Sequence, residues 1–126
     1  MLPTFEQETA PLSPQEWSEA RTVRAILLET FAQDNSITNA RISEQVVARL
    51  GGKPRHPARI RKMIHHLHTG GELPNLIATG KGYAQATGMA DLEQYEESLA
   101  GRVSAIKHRL AAVRKDKRRL LQKNQR

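Results

Sequence analysis

Residues 51–86 read GGKPRHPARIRKMIHHLHTGGELPNLIATGKGYAQA, and the order of signals in this stretch decides the fold. Gly51-Gly52 stops a preceding helix, because glycine enters the left-handed conformation past a helix end at little steric penalty. Lys53-Pro54-Arg55-His56 is a turn. Pro57 suits the first position of a new helix, where its missing N–H is no loss. Ile60, Ile64 and Leu67 then recur at i, i+4 and i+7 and make one apolar face. Gly70-Gly71 closes this helix. Leu76-Ile77-Ala78-Thr79 and Gly82-Tyr83-Ala84-Gln85-Ala86 flank Gly80-Lys81, the pattern of a tight β-hairpin. A lone hairpin is marginal in water. This one is therefore expected to pack on the helices through Tyr83 and to pair with a short strand at Ile37.

Upstream, Thr38 or Asn39 caps a helix running to about Leu50. Its inward face is Ile42, Val46 and Leu50, with Val47 beside it. Further upstream, Ser13-Pro14-Gln15-Glu16 is a capping box with proline in the first turn. Trp17, Ala20, Val23, Leu27, Leu28 and Phe31 follow as a broad apolar stripe to about Gln33. A longer helix, two short helices joined by a tight turn, and then a hairpin make a winged helix-turn-helix of mainly α class.

Downstream, from Met89 to Leu121, no proline occurs and only Gly101 interrupts. Leu92, Leu99, Ile106, Val113 and Leu120 recur every seven residues. Val103 and Leu110 fill the alternate positions, while Glu96 and Lys117 break that series. The pattern predicts a coiled coil over about three heptads, with a homodimer formed through Leu92, Leu99, Val103, Ile106, Leu110 and Val113. A single amphipathic helix lying on its own domain satisfies the same stripe. The expected organisation is a flexible arm over 1–12, a winged domain over 13–87, a long helix over 88–121 and a basic tail over 122–126.

The chain has 126 residues, with 20 Lys and Arg against 13 Asp and Glu. The distribution says more than the total. Residues 1–36 carry two basic and six acidic side chains, residues 37–86 eight and two, and residues 87–126 ten and five. Positive charge thus begins with the short helices, and a polyanion such as nucleic acid is the expected partner. There is no cysteine, which excludes disulfides and thiolate zinc sites. No apolar run approaches the ~20 residues of a membrane span. The acidic, proline-containing N-terminus is not a signal peptide. The absence of cysteine fits an intracellular protein, and a cytoplasmic, nucleoid-associated location in a bacterial or phage-infected cell is expected.

On a helical projection with Ile60 inward, Ala58, Lys62 and Thr69 point outward, flanked by Arg59, Arg61, His65 and His66. Arg55 precedes them. A major groove admits such a helix, and Arg or Lys donates to guanine N7 and O6. Lys81 at the hairpin tip is placed for a phosphate or the minor groove. Arg41, Arg49 and Lys53 suit phosphate contacts that fix register. The basic run Arg114–Arg119 either clamps phosphates or solvates a helix end. His65 and His68 have the i, i+3 spacing of two metal ligands. With no Cys, and no carboxylate in that helix, neither a metal nor a cofactor is expected. No nucleophile–base set is present, so an enzyme is not expected.

The stretches Pro57–Gly71 and Leu76–Ala86 resemble small winged-helix proteins encoded by phages and prophages, over about residues 37–115. The Ile77–Tyr83 wing, and its distance from the helix before it, is the most specific part. The resemblance implies a double-stranded DNA-binding fold serving transcription or replication of a mobile element. The main rival is a protein-interaction module that binds a host polymerase or nuclease through the same surfaces. Such a module calls for exposed apolar residues on the third helix, where this chain has charge. Single-stranded nucleic-acid binding calls for exposed aromatic platforms, and this chain has five aromatic residues, most at core positions.

Overall fold

The computed structural model describes residues 9–124. In chain order the elements are α1 (Pro14–Ala32), α2 (Asn39–Leu50), α3 (Pro57–Thr69), β1 (Leu76–Thr79), β2 (Gly82–Gln85) and α4 (Met89–Asn124). The chain is mainly helical, with one two-stranded antiparallel sheet and a long C-terminal helix. It divides into two units after Thr87.

The helix starts follow local chemistry. Ser13 Oγ accepts from the Glu16 N–H while the Glu16 carboxylate accepts from the Ser13 N–H, a complete capping box ahead of α1. Thr38 caps α2 by accepting from the Arg41 N–H. His56 caps α3 in an unusual way. Its Nδ1 accepts the Ala58 N–H at 3.0 Å, so that ring nitrogen carries no proton.

The core lies among α1, α2 and α3, which pack on one another. Ala20, Val23, Ile26 and Leu27 meet Ile42 and Val46 of α2 and Ile60, Met63, Ile64 and Leu67 of α3. Leu73, Leu76 and Tyr83 close the core from the hairpin side. The strands pair Leu76 with Gln85, Ile77 with Ala84, Ala78 with Tyr83 and Thr79 with Gly82. Ile37 forms an antiparallel bridge to Tyr83, through Ile37 N–H to the Tyr83 carbonyl at 2.9 Å and Tyr83 N–H to the Ile37 carbonyl at 2.8 Å. The expected hairpin, and its pairing with Ile37, are as observed.

Several expectations are corrected. Trp17 and Leu50, expected inside, are 40% and 52% exposed. Trp17 lies in the first turn of α1 and sets its ring edge against His66. Leu50 ends α2 beside the exposed glycine turn. Ile26 and Met63 fill the core instead. The arm is not free over all of 1–12: Leu12 is buried in the core, and the Ala10 carbonyl accepts from His66 Nε2 at 2.7 Å. Residues 1–8 lie outside the described residues. The tail does not begin at 122 either, since α4 continues to Asn124; positions 125 and 126 lie outside the described residues.

Candidate nucleic-acid interface

The face of α1 that enters the core carries two carboxylates at its N-terminal end. Glu16, Glu19, Val23 and Ile26 follow at steps of three and four, so they share one side of the helix. Val23 and Ile26 meet aliphatic side chains. Glu16 and Glu19 meet the cations of α3 and of the turn before it.

Glu19 is the centre of this arrangement, with its side chain 8% exposed. Arg55 Nε donates to Glu19 Oε1 at 3.0 Å, and Arg59 Nη2 donates to Glu19 Oε2 at 2.9 Å. Lys62 Nζ lies 3.1 and 3.2 Å from the two oxygens of Glu16. Arg59 Nη1 is 3.6 Å from Glu16 Oε2 and joins the two halves. Burial opposes the charged form of Glu19, but the hydrogen bonds from Arg59 and Arg55 outweigh it and hold the carboxyl below its ordinary value. The Ser13 N–H and the Lys62 ammonium do the same for Glu16 against its partial burial. The hydrogen bond to Glu19 holds the Arg59 guanidinium above its usual value.

Arg55 also ties the α2–α3 turn together. Its Nη1 donates to the carbonyls of Gly51 and Lys53 at 2.7 and 2.8 Å, and its backbone N–H donates to Ser43 Oγ at 2.7 Å. The expectation of outward-facing cations is therefore corrected at three positions, Arg59 and Lys62 on the helical projection and Arg55 ahead of it. Arg55, Arg59 and Lys62 do not present free cations to solvent; α1 covers them, and their charges are matched within the domain. Helical periodicity places residues around α3 but does not fix which side α1 occupies.

The remaining candidates fall elsewhere on the domain. Ala58, Arg61 and His65 on α3 are half-buried, with the His65 ring edge-on to His66. By helical geometry Arg61, His65 and exposed His68 lie on the flank of α3 away from Arg59 and His66. Arg41 forms an i, i+3 pair with Glu44 at 2.9 Å in which both side chains are about two-thirds exposed, a contact of little energetic weight. Arg49 pairs with Glu29 of α1, whose carboxyl is lowered by that contact. Lys53 is exposed in the turn. Lys81 is exposed at the hairpin tip, where its backbone N–H donates to Thr79 Oγ1. In α4, Leu92 is half-buried, and Leu99, Val103, Ile106, Leu110 and Val113 are 40–55% exposed.

The sequence reading missed Glu16, Glu19 and Ser43 as partners of the basic residues. A signal was there: a carboxylate pair continues the buried stripe of α1, and such charges are rarely buried unless paired.

No helix among the described residues is long and apolar enough to cross a membrane. No protein-family model, curated protein or solved structure matches this chain.

Proposed function

We propose that residues 13–87 form a winged helix-turn-helix that binds double-stranded DNA, in the service of transcription or replication of a mobile element. The observation that carries this reading is the hairpin, fixed through Tyr83 to Ile37 just ahead of α2, with Lys81 exposed at its tip. A wing so anchored holds Lys81 at a defined place for phosphates, alongside a turn that carries exposed Lys53 and a helix that carries Arg61 and His65. Phosphate contacts come from Arg41, Lys53 and Lys81. Base-edge contacts come from Ala58, Arg61 and His65. Arg55, Arg59 and Lys62 support the surface by fixing α3 and the turn to α1.

Titration of duplex DNA binding with salt tests the reading. With these three phosphate contacts, affinity should fall roughly fortyfold between 50 and 200 mM salt. Lys81→Ala should lower the salt slope by about one. A flat response, or no binding at low salt, removes the proposal.

Glu16 gives a second expectation. Its carboxylate neutralises Lys62 beside the proposed surface. Glu16→Gln keeps an acceptor for the capping box but removes the charge. DNA affinity at low salt should rise a few-fold, on the order of what one added phosphate contact provides. Unchanged affinity would mean that Lys62 lies outside the field felt by the duplex.

A further inference from the structure

α4 is 36 residues long, about 54 Å at 1.5 Å per residue, and none of its residues is buried. Most helices in proteins are held by packing of one apolar face, and here that face is uncovered. Leu99, Val103, Ile106 and Leu110 in the middle of α4 are 40–53% exposed. They lie on a single seam at steps of three and four. Gly101 is off the seam, with open space around it, and so does not interrupt packing there.

The charge along α4 is divided. Residues 89–100 contain Asp91, Glu93, Glu96 and Glu97 and no basic side chain, whereas residues 101–124 contain nine basic side chains and the single acid Asp116. The two charged residues within the seam follow the same division, Glu96 near its start and Lys117 near its end.

We infer that α4 pairs with α4 of a second copy of this chain in an antiparallel coiled coil. A parallel pair sets Glu96 against its own copy and Lys117 against its own copy inside the seam. It also sets the strongly basic halves side by side along their length. An antiparallel pair centred between Ser104 and Ala105 avoids both. Val103 then packs on Ile106 of the second copy, and Leu99 on Leu110. Lys117 of one chain sits one turn, about 6 Å along the axis, from Glu96 of the other, within reach of two long side chains. The flanking Glu93 faces Arg114. One like-charged flank, Arg102 with Arg109, remains. Covering the seam on both chains removes on the order of 1,200–1,500 Å² of surface, the size of a stable protein–protein interface.

This pairing does not depend on DNA binding. It carries the two Met89 residues to positions about 46 Å apart along the rod.

The cysteine-free chain allows a direct test with single spin labels on the outer side of the helix, at Gln94→Cys and at His108→Cys, in the full-length protein. Antiparallel pairing offsets the two copies of position 94 by about 32 Å along the axis and those of position 108 by only about 10 Å. The label at 94 should therefore report a clearly longer distance than the label at 108. Equal short distances at both sites would show a parallel pair and overturn the orientation. Sedimentation of a monomer at 100-micromolar order would overturn the pairing itself. Lys117→Glu should weaken the dimer at least tenfold, and Glu96→Lys added to it should restore association. Loss of dimerisation with DNA binding intact, or the reverse, would separate this proposal from the previous one.

Discussion

Gly82→Ala should release the hairpin from the helices and destabilise the domain by about 3 kcal/mol, a loss of roughly 10–20 °C in Tm. Gly82 has φ +116°, a conformation that a residue with a side chain rarely adopts. A Cβ there would stand 2.2 Å from the Ile37 carbonyl oxygen, 2.8 Å from its carbon and 3.0 Å from Thr38 Cα. These are backbone atoms, and the paired hydrogen bonds between Ile37 and Tyr83 hold them in place, so no rotamer change relieves the contact. The bridge must open, which loses two hydrogen bonds and exposes Tyr83, now 8% accessible. Gly80→Ala is the control: nothing lies within 4 Å of its added methyl. It should leave the melting temperature within a degree or two. Thermal unfolding of both variants, with amide exchange at Ile37 and Tyr83, measures the difference. Equal effects from the two substitutions would show that the close approach at Gly82 does not hold the hairpin.

Glu19→Ala should destabilise by about 2–3 kcal/mol, read as a lower urea midpoint with unchanged slope. The buried pair itself adds little over an apolar replacement. Removing one member leaves Arg55 and Arg59, 16% and 33% exposed, without their carboxylate. Arg55 also holds the Gly51 and Lys53 carbonyls, so the α2–α3 turn should loosen with it. Glu29→Ala breaks an exposed pair with Arg49 and should leave the midpoint unchanged. If the two substitutions behave alike, the Glu19 cluster is no more than a surface ion pair.

The same cluster sets the acid limit of the fold. The carboxyls of Glu16 and Glu19 titrate lower in the folded chain than in the unfolded one. Their contribution is therefore complete above the ordinary carboxylate value, about 4.3, and is lost as pH falls through the lower folded values. Stability of the wild-type protein should decline below that pH. Glu19→Ala should decline less steeply over the same range.

Much of the architecture was readable because short-range chemistry specifies it. Ser13-Pro14-Gln15-Glu16 can start a helix wherever it sits, and Gly51-Gly52 can end one. Leu76–Thr79 and Gly82–Gln85 around Gly80-Lys81 close a hairpin with its register set by the turn. The seven-residue spacing from Leu92 defines the seam of α4 without reference to the rest of the chain. Ile60, Ile64 and Leu67 were legible as core because apolar spacing marks the face that must leave water.

The roles of the basic residues were not legible in that way. An arginine on a helix looks the same in sequence whether it faces a phosphate or a glutamate forty residues upstream. In sequence Arg55, Arg59 and Lys62 read as cations for a partner, whereas in the fold α1 lies across them. Apolar periodicity fixes which side of α3 is buried, but not which flank a neighbouring helix then covers. That choice comes from packing three helices around one core, which brings Glu16 and Glu19 opposite α3. The helices, the hairpin GKG turn and the charge division along α4 are local properties, because they rest on contacts within a few turns of chain. That Gly82 must be glycine, that Leu12 belongs to the core, and that Arg55, Arg59 and Lys62 are matched inside the domain follows from the folded chain alone, because each depends on atoms distant in sequence that meet only once it has folded.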